Sequence, residues 1–110
     1  MKIGKRSGLD EMDVSGLAML KGSHEFLRMW ARPQGPMTCL IDPAKLGADP
    51  FLFGMAMVDA IRHGAKAYAH AVNISEDHAL GRILEGFDAE RDNPTDSPTG
   101  STDLPPALTE

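Results

Sequence analysis

The stretch from Pro50 to Val72 constrains the fold most, because its residues predict a long helix that is apolar over most of its circumference. Asp49 before Pro50 is typical of a helix N-cap followed by proline at the first helical position. Asn73 tolerates the left-handed backbone conformation that commonly ends a helix. On a helical wheel the polar side chains occupy a stripe about 100° wide, which leaves an apolar arc of more than roughly 200°. Such a helix needs more than one partner to cover it.

The residues after Asn73 provide one of these partners. Ser75 is a good N-cap for a last helix that extends to about Ala89, and the apolar residues of this helix form a single stripe. The stripe consists of Ala79, Leu80, Ile83, Leu84 and Phe87. Because the link from Val72 to Ser75 is short, we expect the two helices to lie antiparallel. One helix masks about 100° of its neighbour, so much of the apolar arc remains uncovered.

Residues 26–42 predict a β-hairpin. Leu27, Met29 and Ala31 alternate with aromatic and charged residues, and the run MTCLID that follows the turn PQGP is apolar and β-branched. Residues 24–32 could also continue a helix. Two short runs around a Pro/Gly turn favour the hairpin.

Two shorter segments complete the predicted architecture. Residues 13–21, with Asp13 or Ser15 as the cap and Gly22 as the stop, predict a leading helix of about two turns. An Asp-Pro pair at residues 42–43 predicts a single helical turn before the long helix. The predicted fold class is therefore α+β, with a β-hairpin packed on two antiparallel helices and a short leading helix.

Composition sets the expected boundaries. Residues 1–12 are polar and contain glycine, which predicts a mobile N-terminus, and residues 13–96 hold the single α+β domain. Residues 97–110 are acidic and rich in proline, serine and threonine, a composition typical of disorder. The net charge of −5 comes without a basic cluster, so nucleic-acid binding is not expected.

Cysteine usage and the lack of long apolar runs predict a cytoplasmic protein. Cys39 is the only cysteine, so an internal disulfide is impossible and a reducing compartment is the default. Its neighbours are typical of a strand, which favours a buried, unreactive thiol. The first residues lack the apolar region of a signal peptide, and no run approaches the roughly 20 apolar residues of a membrane span, so no membrane association is expected.

The sequence contains no motif that identifies a catalytic residue, a metal site or a cofactor. Asp59, His63 and His70 lie on the polar stripe of the long helix, and a carboxylate with two imidazoles can bind a small ligand or a transition metal. The alternative is a solvated face on which Asp59 and His63 form an i,i+4 pair. His63 and His70 lie about 10.5 Å apart along the helix axis, too far for one ion, which favours the solvated face.

Trp30 lies between two arginines of the predicted hairpin strand. Arg28 and Arg32 would share its face, and an aromatic ring between two guanidinium groups could bind an anion or a peptide. The interpretation that we favour is that the aliphatic stems of the arginines pack beside a half-buried indole.

A row of small residues on the long helix predicts self-association. Gly64 in a helix interior costs about 1 kcal/mol relative to alanine, and close approach of another backbone would offset that cost. The row consists of Ala56, Ala60, Gly64, Ala67 and Ala71. We therefore expect a homodimeric, non-catalytic interaction module, which could also bind another protein. The alternative function is a small-ligand or metal-binding protein, or an enzyme, that uses Asp59, His63 and His70.

Three segments resemble a small bacterial family described as a domain of unknown function, number 5076. They are EFLRMWA, DAIRHGAKAYA and ILEGFDAERDNPTD, which are similar to the family's L-R-x-W segment, its ARH…AYA helix and its terminal FDAE…NPTD. The resemblance covers about residues 24–96. Ile61 departs from the small residue expected before Arg62, and Arg91 stands where an aromatic residue is frequent. The resemblance supports the domain boundaries and implies no reaction.

Overall fold

A computed structural model describes residues 8–95 and confirms an α+β fold. Two strands, β1 (Leu27–Trp30) and β2 (Thr38–Ile41), form an antiparallel hairpin. Two helices follow, α1 (Phe51–Val72) and α2 (Glu76–Asp92), and single 3-10 turns occur at Ala18–Leu20 and Pro43–Lys45. Of the N-terminal segment predicted to be mobile, residues 1–12, the first seven lie outside the described residues. The whole segment predicted to be disordered, residues 97–110, also lies outside them.

The hairpin is confirmed, but its connection is longer than the predicted four-residue turn. In the pairing register, Leu27 faces Ile41 and Trp30 faces Thr38. The connection therefore covers residues 31–37, because β1 ends three residues before Pro33, which opens the turn, and β2 begins at Thr38. The prediction that Arg32 shares a strand face with Arg28 and Trp30 is consequently wrong.

The predicted capping residues lie at the start of both helices and at the end of α1. Two bounds differ from the prediction: Pro50 takes the N-cap position of α1, and α2 continues to Asp92, beyond the predicted end near Ala89. The backbone N–H of Phe51 donates to Oδ1 of Asp49 at 3.1 Å, so Asp49 satisfies one of the free N–H groups at the start of α1. Asn73 ends α1 in the left-handed conformation, with φ of 59°. The hydroxyl of Ser75 accepts from the backbone N–H of His78 at 3.0 Å and caps α2. This tight link turns the chain back, and α1 and α2 pack against each other.

The leading helix is shorter than predicted, with one 3-10 turn at Ala18–Leu20 in place of two α-helical turns. Asp13 is the physical reason, since its carboxylate accepts hydrogen bonds from both the backbone N–H and the hydroxyl of Ser15. These bonds fix a local turn that competes with a helix. Gly16 has a φ of +84°, which a right-handed helix cannot include.

The interior of the described chain is small. The buried hydrophobic residues are Ala65 on α1 and Ala79 on α2, exposed by 1% and 2%. The hairpin contacts α1 through Phe26 and Phe53, whose rings meet edge to face with centroids 6.4 Å apart. None of the strand residues is buried. Within residues 8–95, no helix has the length and apolar character needed to cross a membrane.

Candidate functional site

The row of small residues on α1 remains largely uncovered within one chain. Ala60, Ala67 and Ala71 are exposed, whereas Ala56 and Gly64 are half-buried. A Cβ atom built on Gly64 would lie 3.7 Å from Cδ1 of Ile83, an ordinary van der Waals distance. Thus α2 reaches the border of the row at Gly64 and leaves the exposed alanines available to another molecule.

The face of α1 that α2 covers is a different row of residues, which the spacing of the small residues did not identify. Ala65 is buried, and Ile61 and Ala69 on either side of it are half-buried. These three residues are spaced four apart and therefore lie on one side of the helix. The signal was present in the sequence, but alanines occur on two adjoining sides of α1, so spacing alone could not tell which side the second helix uses.

Large apolar side chains are widely exposed. In the part of the chain that the structure describes, sixteen of them have an exposed fraction above one third. Those on the two helices are Phe51, Leu52, Met55, Val58, Tyr68, Val72, Leu84 and Phe87. Single exposed apolar residues are ordinary, but within residues 8–95 sixteen exposed large apolar side chains stand against two buried alanines, which leaves much apolar surface in contact with solvent.

Asp59, His63 and His70 are exposed on α1. Residues 8–95 contain no group of three or more His, Cys, Asp or Glu side chains arranged to hold a metal ion. Helix geometry explains this, because the seven-residue separation of the two histidines corresponds to about 10.5 Å along the axis. Chemically, Asp59 and His63 alone offer half of a metal site.

Arg28 is engaged by carboxylates. Its guanidinium donates to both oxygens of Glu25, at 2.6 and 2.9 Å, and lies 3.6 Å from a carboxylate oxygen of Glu11. The hydrogen bonds from Arg28 lower the pKa of Glu25 below its ordinary value, although partial burial opposes them. The same pairing raises the pKa of Arg28. An anion at Arg28 would therefore have to compete with two carboxylates.

Trp30 and Arg32 are separated by the end of β1. Trp30 is half-buried and, with Met12 and Met29, lines an open cavity of about 470 Å³ between the hairpin and the segment before it. Arg32 lies in the loop, where its side chain packs close to Gly35: a Cβ atom on Gly35 would lie 3.2 Å from Cδ of Arg32. The structure brings Arg28 and Trp30 to one cavity and leaves Arg32 outside its lining.

Cys39 is half-buried in β2 and carries a free thiol. The sequence predicts a buried, unreactive thiol, and the structure gives Cys39 partial exposure instead.

A protein family and a solved structure are similar to most of the chain. The model of the family described as Domain of unknown function (DUF5076) matches residues 18–95. A solved structure from the photosynthetic bacterium Rhodopseudomonas palustrus CGA009, described as a "putative pyruvate dehydrogenase", is 34% identical to this chain. The similarity covers 84% of this chain and 90% of the other, with a TM-score of 0.57. No curated protein matches the chain.

Proposed function

Because this chain belongs to the family described as domain of unknown function DUF5076, whose description carries no activity, we propose its function from the physical chemistry of its surface. The protein is a small homodimeric module that acts by binding and not by catalysis. The observation that carries this proposal is the imbalance between two buried alanines and sixteen exposed large apolar side chains in residues 8–95.

The imbalance matters because hydrophobic burial is the main favourable term in folding. Full burial of one large aliphatic or aromatic side chain contributes about 1.5–3 kcal/mol, and within residues 8–95 no large side chain is fully buried. Ordering the chain opposes folding by about 1–2 kcal/mol for each residue. A second copy that covers the exposed apolar surface supplies burial that one chain lacks, which is a common solution for small domains.

The small-residue row of α1 is the surface that we assign to this contact. Ala60, Ala67 and Ala71 present almost no side chain, so two helices can approach to roughly 8 Å, the short end of the range for helix pairs. A two-fold axis would place the same row of each copy against the other, because an isologous contact uses one patch twice. Tyr68, which is 57% exposed beside the row, would then be covered as well.

Bulky substitutions in the row test the proposal. Ala60→Leu and Gly64→Leu each put a branched side chain where the helix backbones would meet, so both variants should dissociate at concentrations where the native chain is dimeric. Ala89→Leu introduces the same side chain at an exposed position of α2 and is the matched control. Sedimentation equilibrium gives the mass, and circular dichroism verifies the fold. A Kd that is the same for Ala60→Leu, Gly64→Leu and the control would refute the assigned surface.

A ligand-binding, metal-binding or enzymatic role for Asp59, His63 and His70 is not part of this proposal, because no observation on residues 8–95 favours it. The name of the Rhodopseudomonas protein likewise describes that protein, and no arrangement of described side chains here supports a dehydrogenase reaction. Titration with Zn²⁺ separates the two functions. We expect no saturable heat of Zn²⁺ binding to the native chain. A stoichiometric heat of binding that is lost in His63→Ala would favour a metal site.

A further inference from the structure

We propose that the outer edge of β2 pairs with the β2 strand of a second copy, which joins the two hairpins into one continuous four-stranded antiparallel sheet. This inference rests on the proposed function in one respect, since both require a second copy of the chain. It concerns a different surface, the backbone of Thr38–Ile41, and can be tested separately from the helix contact.

The phase of the hairpin hydrogen bonds shows which backbone groups point outward. The N–H of Asp42 donates to the carbonyl oxygen of Phe26 at 2.9 Å, so these two residues form a hydrogen-bonded pair. Such pairs alternate with pairs whose N–H and C=O groups point away from the partner strand. In the register of this hairpin, Cys39 and Ile41 belong to the outward-pointing set of β2. Within residues 8–95, their outward N–H and C=O groups have no hydrogen-bond partner.

The edge formed by β2 has none of the usual protection against strand pairing. Natural edge strands carry charged side chains, proline or a bulge, whereas β2 reads Thr-Cys-Leu-Ile and has no charge, proline or glycine. Each of its four residues is half-buried. On the other strand, β1 carries the charged Arg28, and Met12 and Val14 of the preceding segment line a cavity beside it. The edge strand without a charged side chain is therefore β2.

A second copy is the occupant that fits this edge, because the edge is complementary to itself. With a two-fold axis at Leu40, Cys39 of one copy faces Ile41 of the other, and the outward N–H and C=O groups of both residues pair. An axis at Ile41 would place Cys39 opposite Pro43, which has no N–H to donate. An axis at Cys39 would place Ile41 opposite Met37, which lies outside β2. The register centred on Leu40 uses strand residues alone.

The pairing would also stabilise the hairpin. An isolated two-stranded hairpin is marginal in water, and three or more strands are normally needed unless a helix packs on the hairpin. Here the ring contact with α1 is that of Phe26 with Phe53, and no strand residue is buried. Joining two hairpins doubles the number of strands without any addition to the chain.

Amide hydrogen exchange in the native protein tests the proposal without a substitution. We expect the amides of Cys39 and Ile41 to exchange at least about tenfold more slowly than those of Leu27 and Met29, the outward-pointing residues of β1. The two sets occupy equivalent positions on the two edges, so each is the control for the other. Equal, fast exchange at all four amides would overturn the β2 pairing.

Cross-linking gives a second readout with its own control. In a Cys39→Ser background, Leu40→Cys places two thiols at the two-fold axis, where the Cα atoms of a directly opposed, non-hydrogen-bonded pair are about 4.5 Å apart and a disulfide can form. Met29→Cys in the same background is the control on the other edge. We expect oxidised dimer from the first variant and at most a few per cent as much from the second. Equal yields, or none from Leu40→Cys, would overturn the proposal.

Adding Gly64→Leu separates this inference from the helix contact. If the amides of Cys39 and Ile41 remain protected from exchange in Gly64→Leu, the β2 pairing is supported whether or not the α1 helices are in contact. The opposite result has two parts: the native chain is a dimer without exchange protection at Cys39 and Ile41, and Gly64→Leu dissociates this dimer. It would overturn the β2 pairing and support the α1 contact alone.

Discussion

Replacing Gly64 with alanine tests the helix contact with the smallest possible change. Within one chain the added Cβ atom is harmless, since it would lie 3.7 Å from Cδ1 of Ile83, and the backbone at Gly64 has ordinary helical geometry. Alanine is also the better helix former, by about 1 kcal/mol in a helix interior. A chain that functions as a monomer should therefore gain roughly that amount of unfolding free energy from Gly64→Ala.

The dimer should respond in the opposite direction. Two-fold symmetry places both new methyl groups in the contact between the α1 helices, and overpacking of a close contact typically costs about 1–3 kcal/mol. That range corresponds to a rise in Kd of about fivefold to a hundredfold. The variant should consequently be more stable as a monomer and weaker as a dimer.

Gly86→Ala is the matched control, because Gly86 also lies inside a helix and a Cβ atom there would meet nothing within 4 Å. It should gain a similar helix stability and leave Kd unchanged. Sedimentation equilibrium measures the dissociation constants, and urea unfolding of dilute samples measures the stability of the monomer. If Gly64→Ala and Gly86→Ala alter Kd equally, the small-residue row of α1 is not the contact surface.

Three further predictions concern single interactions of the fold. Ser75→Ala removes the oxygen that accepts from the N–H of His78 and should reduce the unfolding free energy by about 1 kcal/mol in urea titration, whereas a change near zero would show that the cap is unimportant. Asn73→Gly should preserve stability because glycine adopts the observed φ of 59° freely, and Asn73→Val should destabilise α1; similar melting temperatures for both variants would contradict this. The pKa of Glu25 is lowered in the folded state by Arg28, so its contribution to stability is present above the ordinary carboxyl pKa and is lost as pH falls through the lowered value. Urea titrations should therefore show a small advantage of the native chain over Glu25→Gln at pH 6 that disappears at acidic pH, and an advantage that grows on acidification would reverse the assigned sign.

Local signals predicted both helices, the start of each and the end of α1, whereas α2 continues to Asp92, three residues beyond the predicted end near Ala89. Asp49, Asn73 and Ser75 act through hydrogen bonds and backbone conformations that involve only neighbouring residues, so the sequence contains all the information that is needed. The antiparallel arrangement of α1 and α2 followed from the short link between them. The hairpin was predicted for a similar reason, since alternation and a Pro/Gly-containing connection are both local features.

Features that depend on competition between elements were predicted less well. The leading segment has a helical composition, but the hydrogen bonds of Asp13 to Ser15 and the positive φ of Gly16 prevent a regular helix there. Of the two carboxylates at Arg28, Glu25 is only three residues away in the sequence, whereas Glu11 comes from a separate segment and could not be identified from local spacing. For α1, the sequence identified a wide apolar arc, but only the three-dimensional arrangement shows that α2 covers the row at Ala65.

The sequence predicted the row of small residues on α1 but not the molecule that would contact it. Ala60, Ala67 and Ala71 were identified from their spacing, and their exposure in the structure is what makes them available. Which molecule covers them is not encoded in local sequence, since it depends on the surface of a second molecule. The same applies to the β2 edge, whose outward N–H and C=O groups become visible only once the hairpin register is known.

The most direct test of the central claim is the mass of the native chain in solution. Sedimentation equilibrium at concentrations on the order of tens of micromolar should give twice the 11.9 kDa of one chain, because the exposed apolar surface then has its partner. A mass of 11.9 kDa at these concentrations would contradict the proposal, and the exposed faces of α1 and β2 would have no second copy to cover them.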